Sequence, residues 1–421
     1  MLNQNNEREL CYIVSIDAIE PIVGSDNCEA AVVGGWKIMT RKNTFKVGDL
    51  AVYFEIDSKV PEKEPFMFLQ SKHFKIKTQK YTFGGKGNFI SQGLLMPLTD
   101  FPDLFEYDVV SGMGWLYTYK AKSHIKESKD TLVNIHDGLT KLLGVKYSVV
   151  EDNKRKSNSN KYTKMVSRHQ KLFRKNKLVK WLYQRKWGKE LLFFFLGKKS
   201  DKRTWPDWVR KTDEERVQNL PQLFPGDNTE WIVTEKIDGS STTFTMSGRG
   251  RHEQYYVCSR NVCFDKPEKN EKLFYDTNIY EEMAEKYDIQ NKLRQILEEH
   301  KDWDFITIQG ETFGPSVQKR NYNLQEREFN AFNLVYGTKE NSYIRMNSID
   351  MKILLDKYQI PSVPILDKHY KLPQTIEEMI NYADGPSTID GELREGVVLR
   401  TYDGINSFKA VSNQFLIKFK E

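Results

Sequence analysis

The 421-residue sequence has no long apolar run. Its longest, Leu191–Leu196, is far shorter than the roughly 18 residues a membrane span needs. The opening MLNQNNEREL holds no apolar segment, so no signal peptide is expected. Cysteine is scarce: Cys11, Cys28, Cys258 and Cys263 show no C-x-x-C spacing. That argues against a disulfide scaffold or a cysteine zinc site, and it points to reduced thiols in an intracellular, cytoplasmic protein. No internal repeat is evident. Net charge is only +6, but it is unevenly placed: Glu151 to Arg203 carries 18 Lys/Arg against 4 Asp/Glu. The basic character therefore belongs to one segment, which suggests a polyanion partner or a solvated linker. What is present is 39% hydrophobic and 13% aromatic residues, a composition suited to two or three globular domains with real cores.

Residues 9 to about 120 read as strands. β-prone runs at Cys11–Ile16, Ala30–Thr40, Leu50–Ile56 and Phe89–Leu98 are separated by turn-rich stretches such as Gly24–Asn27 and Gly84–Gly87. Five or so short strands in that length suit an OB-type barrel. Basic and aromatic residues alternate over Lys75–Phe83, a mix that an OB groove uses on nucleic acid and that an edge strand uses against aggregation. A short helix ending at Gly144 closes this first domain, at 1–148. The basic segment at 149–204 follows. Lys154–Asn160 is expected to be disordered, and Met165–Leu196 forms one or two basic amphipathic helices. Contact with RNA, with a membrane surface, or with the protein's own domains is open there. From 205 to 421 the chain is globular again. Thr212–Pro225 reads as a helix opened by a Thr212/Glu215 capping box. Tyr280–His300, Ser348–Tyr358 and Ile376–Ala383 are helical by spacing. Strands are expected at Tyr255–Arg260, Phe305–Glu311, Phe329–Val335, Glu395–Arg400 and Ser407–Phe419.

The most informative stretch is Trp231–Met246, WIVTEKIDGSSTTFTM: two β-prone runs flank an Asp-Gly turn, as in a hairpin, with Lys236 ending the first. KIDG resembles the nucleophile motif of the covalent nucleotidyltransferases, the ATP-dependent DNA and RNA ligases and mRNA capping enzymes. Further pieces resembling that superfamily follow in its order: Ser259–Asn261, Gly310–Gly314, Phe329–Val335, Arg394–Arg400 and Phe408–Phe419. The front portion (IDAIEPIVGSDNCEAAVVGGWKIMTRKNTFKVGDLAVYFEIDSKVP) and KTDEERVQNLP before the nucleophile resemble the fifth class of ATP-dependent RNA ligases. The resemblance implies an α+β chain: an N-terminal OB-like β-barrel, then a nucleotidyltransferase domain, ATP-grasp-like, with antiparallel sheets and flanking helices.

A lysine that attacks a nucleotide α-phosphate must lose its proton, although a free lysine has a pKa of about 10.4. Such a site needs cations against the phosphates and carboxylates for a divalent metal. The resemblance assigns Lys236 as the nucleophile forming lysyl-AMP. Lys409 and Arg260 would engage phosphate and ribose, and Arg216 the nucleotide phosphates. Asp238, Glu311 and Glu395 would gather around magnesium or manganese and the ribose hydroxyls, with Gly239 completing the motif. Phe332, or alternatively Phe329, would stack on adenine, since strand alternation does not say which faces inward. Glu235 would accept from the adenine amino group. Where many RNA ligases have a second lysine two residues on, this sequence has Val411; either Lys418 takes that role or Lys409 suffices.

Only three residues follow Lys418, so no OB domain is expected behind the catalytic one, unlike most DNA ligases and capping enzymes. Implied, then, is a monomeric RNA ligase that uses ATP and a divalent metal to seal 5′-phosphate to 3′-hydroxyl ends, favouring nicks in duplexes. Two alternatives remain: an RNA-binding protein with a degenerate transferase domain, and a capping-type guanylyltransferase.

Overall fold

The protein is described here from a computed structural model, which describes residues 1–2, 8–84, 87–107, 115–117, 131–148, 177–196, 202–203, 205–260, 262–264 and 278–419. The expectations for Lys154–Asn160 and for the start of the basic helices, 165–176, lie outside those residues.

The N-terminal portion is a set of small antiparallel sheets. Cys11–Ser15, Leu50–Phe54 and Leu94–Pro97 form one; Ala18–Pro21, Cys28–Val33 and Trp36–Arg41 form another; Thr78–Thr82 pairs with Asn88–Gln92. Alternating apolar residues of the first two sheets bury Tyr12, Val14, Ala31, Trp36, Ile38 and Tyr53 in one core, as a closed barrel requires. The run expected as Ala30–Thr40 is two strands, turned at Gly34-Gly35. A short helix, Thr140–Leu143, ends at Gly144 with φ +71, a conformation that favours glycine.

The C-terminal portion is built on two sheets. The first has five strands in the order Glu215–Arg216, Ser407–Val411, Gly396–Thr401, Glu230–Lys236, Ile365–Lys371. The second has seven, with Ser240–Ser247, Trp303–Phe313 and Glu328–Thr338 in its centre. Helices Ile279–Lys286, Ile289–Glu299 and Ser348–Lys357 cover the larger sheet through a core that includes Met283, Leu293, Ile308, Leu334 and Leu355. Helix Ile376–Ala383 covers the smaller one with Val233, Val397 and Phe408. A third, smaller cluster of Ile237, Phe313, Tyr322 and Val363 lies under the place where the chain passes between the sheets.

Four expectations are corrected. Trp231–Met246 is not a hairpin: Glu230–Lys236 pairs with Gly396–Thr401 and Ile365–Lys371, whereas Ser240–Ser247 joins the other sheet. The Asp-Gly pair is a crossover between sheets. Thr212–Pro225 is not a helix. Glu215–Arg216 instead adds a parallel strand beside Ser407–Val411, followed by single 3-10 turns at Val217–Asn219 and Pro221–Leu223. The capping-box acid Glu215 instead accepts Asn219 Nδ2 at 2.8 Å and the Leu2 amide, while its neighbours Asp213 and Glu214 pair with the distant cations Lys409 and Arg400; this tertiary pairing overrides a weak local propensity. Ser407–Phe419 is a strand only to Val411. Ser412 Oγ then accepts the Phe415 amide at 3.0 Å, and Asn413–Phe419 is helical. Tyr280–His300 is two helices, broken where Asp288 takes φ +48.

The two portions share structure. Val411 and Leu416 complete the barrel's core cluster. Gly35 donates its amide to Gln218 O at 2.8 Å, and a Cβ there would stand 2.7 Å from Gln218 Cα, so only glycine permits that approach.

Candidate active site

Lys236 is the last residue of its strand. The next three residues carry the chain across to the second sheet, and their geometry is held from outside. The Asp238 amide donates to Tyr322 Oη at 2.6 Å, and Gln318 Nε2 donates to Gly239 O at 3.0 Å. A Cβ on Gly239 would lie 2.3 Å from Thr312 O, so no side chain fits at the crossover. The lysine is thus placed at the mouth between two sheets, each of which brings an acid to it. Gly396 pairs with Lys236, which puts the preceding Glu395 beside the amine: Lys236 Nζ donates to Glu395 Oε2 at 2.6 Å. Glu311 comes from the second sheet, opposite Ser241.

The charges of this cluster do not balance. Burial by itself would lower the Lys236 amine, but Glu395, Glu311 and Asp238 together hold it above the ordinary lysine value. Burial pushes the Glu311 carboxyl up to about 8, with Glu395 and Asp238 adding to the rise and Lys236 opposing it. Three acids around one amine leave a carboxyl that cannot readily ionise, which is the electrostatic signature of a place suited to an added cation. Among the described residues no group of three or more His, Cys, Asp or Glu side chains is placed to hold a metal directly. Oxygen donors of this kind are the chemistry of a hard divalent ion.

A second, cationic cluster adjoins the small sheet. Lys409 Nζ donates to Asp213 Oδ1 at 2.6 Å, and Arg260 Nη2 donates to Asp213 Oδ2 at 2.7 Å. Lys409 is buried, which together with Arg8 and Arg216 brings its amine down to about 8 despite Asp213. Burial would raise Asp213, but Lys409 and Arg260 hold it well below the usual carboxylate range. Arg260 itself is more than half exposed. Arg216 is in register with Lys409 on the neighbouring strand, only 5% exposed, and donates from Nη2 to Asp57 of the barrel at 3.2 Å. Its Nε and Nη1 are buried and find no hydrogen-bond partner among the described residues. The two atoms lie on opposite sides of the Nη2 that meets Asp57, so the guanidinium brings its charge beside Lys409 rather than an open pair of donors.

The remaining residues separate by face. Phe329 is fully buried, its ring edge-on to Phe244 at 5.1 Å. Phe332 is partly exposed beside the cluster of Ile237 and Tyr322. Gln309 pairs with Asn333 and Gly310 with Ala331, so Phe332 is the extra residue of a β-bulge, and Arg400 Nη1 donates to its carbonyl oxygen at 2.7 Å. Glu235 points away from Lys236 by strand alternation and is 1% exposed. It accepts Ser387 Oγ at 2.5 Å, and the Thr388 amide and hydroxyl at 2.9 and 2.7 Å, which leaves one of about four lone-pair sites. Lys418 is not drawn into either cluster: it is exposed on the terminal helix, 3.7 Å from Glu392.

Sequence reading missed Asp213, Tyr322 and the barrel residues Arg8 and Asp57. Asp213 lies within KTDEERVQNLP and was legible as a candidate. Asp57 lies in the front portion quoted above, where no role was assigned to it; Arg8 and Tyr322 sit in stretches with no motif, and only folding brings all three near.

No helix among the described residues is long and apolar enough to cross a membrane. The model of the RNA ligase family matches residues 229–420, and an OB-fold domain model matches residues 10–98. No curated protein matches the chain. Among solved structures, the chain is similar to a Naegleria gruberi RNA ligase with pyrophosphate, at 26% identity over 98% of this chain and 99% of that one, TM-score 0.67. A lysine-to-alanine mutant of the Naegleria gruberi RNA ligase with ATP and Mn is similar at 25% identity over 98% of both chains, TM-score 0.66.

Proposed function

We propose that this chain joins RNA 5′-phosphate and 3′-hydroxyl ends, nicks above all, through a lysyl-AMP formed at Lys236, a reading supported by the match of residues 229–420 to the RNA ligase family and of residues 10–98 to an OB-fold domain. The observation that carries the reading is the partly buried Lys236 amine at 2.6 Å from Glu395, at a sheet crossover with Glu311 alongside.

In the first step Lys236 Nζ attacks the α-phosphorus of ATP. The N–P bond forms, the bond to the pyrophosphate oxygen breaks, and pyrophosphate leaves. Glu395 Oε2 is the atom positioned to take the proton from Nζ. Arg216 and its strand neighbour Lys409 bring positive charge to the nucleotide phosphates. Phe332 presents its partly exposed ring to adenine, and Glu235 offers its remaining lone pair to the adenine amino group. Glu311, Glu395 and Asp238 would hold a divalent ion through ordered water, and that ion would supply positive charge beside the phosphates. In the second step a 5′-phosphate oxygen of RNA displaces Lys236 from AMP; in the third, a 3′-hydroxyl displaces AMP and the strand is closed.

The test is self-adenylation with each of four α-labelled nucleotides. Label from ATP is expected to survive denaturation of the wild type and to be absent from Lys236→Ala. Absence of wild-type label with both magnesium and manganese would remove the enzyme reading. Label from GTP in place of ATP would make the chain a capping-type enzyme.

A further inference from the structure

The segment between the two matched domains presents a surface that the proposed active site does not use. Helices Lys177–Tyr183 and Lys186–Leu196 are joined by Gln184-Arg185 and pack on each other. Gly188 sets their approach, since a Cβ there would stand 2.1 Å from the Leu182 carbonyl oxygen. This close turn brings Trp181 and Trp187 edge to face, with centroids 6.2 Å apart and planes at 84°. The two indoles are 44% and 56% exposed, and no other tryptophan whose side chain is described is exposed. Cations lie directly on the rings: the Arg185 guanidinium is 3.6 Å from the Trp181 centroid, and Lys189 Nζ is 5.2 Å from that of Tyr183. Residues 177–196, the helices with their connection, contain five Lys/Arg and a single acid, Glu190, within a stretch of 18 cations and 4 acids.

We propose that this helix pair is a contact for single-stranded RNA, in which unpaired bases stack on Trp181 and Trp187 while Arg185 and Lys189 meet the flanking phosphates. Every base has a π-face, so exposed indoles beside cations bind a strand without reading its sequence. The arrangement disfavours a lipid surface: a helix lying in a bilayer interface segregates its cations from its apolar face, whereas here cations sit on the aromatic faces themselves. The identity of the polyanion as RNA rests on the ligase reading above. The surface would hold strand flanking the break, outside the site where AMP is transferred.

The test uses the full chain and a fluorescein-labelled single-stranded oligoribonucleotide. Trp181→Ala/Trp187→Ala is expected to lose about ten- to a hundredfold in affinity, with the Phe/Phe pair keeping most of it. Arg185→Gln/Lys189→Gln is expected to flatten the slope of log affinity against log salt by about 1.4. Self-adenylation at Lys236 should be unchanged in every variant, which also shows that each is folded. Unaltered RNA affinity in the double alanine variant overturns the proposal. So does capture by phosphatidylserine vesicles that the alanines abolish while RNA binding persists. The Lys236 label reports on the ligase reading and the RNA titration on this one, so failure of either is seen separately.

Discussion

Replacing the carboxylate that faces the Lys236 amine should change both the rate and the pH dependence of self-adenylation. Glu395→Gln removes the proton acceptor at 2.6 Å, and a loss of about 10²–10⁴ in rate is expected. It also removes the nearest of the negative charges that hold the amine above the ordinary lysine value. The amine of the variant therefore loses its proton at lower pH, and its residual rate should reach a plateau at lower pH than the wild type's. Initial rates of label incorporation across a pH series check this; a shift to higher pH would contradict the assigned charges. Asp57 acts at one remove, through Arg216. With Asp57→Ala the guanidinium loses its tether, and nucleotide binding should weaken by about 1.5–3 kcal/mol. The KM for ATP in self-adenylation should rise while the covalent step at saturation is largely kept.

At the scale of the strand, two phenylalanines three residues apart do different work because an odd spacing puts them on opposite faces, Phe329 in the core under the helices and Phe332 beside Ile237 and Tyr322. Phe329→Ala empties a fully buried site and should cost about 3–5 kcal/mol of stability, read by thermal or denaturant unfolding. Phe332→Ala removes a partly exposed ring and should leave stability nearly unchanged while raising the KM for ATP. The reverse pattern would mean that the bulge aims the ring elsewhere. Gly239→Ala tests the crossover itself: its Cβ meets Thr312 O at 2.3 Å. Something must shift there, and self-adenylation should fall sharply even if the chain folds.

For the whole molecule, the docking of the barrel on the C-terminal portion rests in part on one buried acid. Glu55 is fully buried, accepts Arg8 Nε at 3.0 Å and Asn219 Nδ2 at 3.2 Å, and also meets the Met1 amine. Burial would raise its carboxyl, but Arg8 and that amine bring it down to about 2, below its ordinary 4.5. A carboxyl lowered by folding stabilises the protein fully above its unfolded value and loses that contribution as pH falls from about 4.5 towards 2. Wild-type stability should therefore drop through that window. Glu55→Gln, already weakened by about 3–5 kcal/mol through its unpaired cations, should show a shallower drop. Parallel acid titrations by circular dichroism would reveal it.

How far the sequence was legible follows from where each signal lives. The motif residues Lys236, Asp238, Glu311 and Glu395 could be picked out because each sits at a strand end with its own short pattern, and local pattern survives any fold. The strands of the barrel and the helices over the large sheet announced themselves by period for the same reason. Three things could not be read. The Asp-Gly pair looked like a hairpin because a two-residue turn and a jump between sheets share one local sequence; only the partners of each strand, Gly396–Thr401 and Trp303–Phe313, distinguish them. The choice between Phe329 and Phe332, which alternation places on opposite faces, depended on which face of the sheet the helices cover. And the pairing of Arg216 with Asp57, 159 residues apart, exists only once the barrel has docked. Amino-acid order determined which chemistry the chain could carry; long-range pairing decided which way each side chain faces, because strand register and domain contact are properties of partners that no single stretch contains.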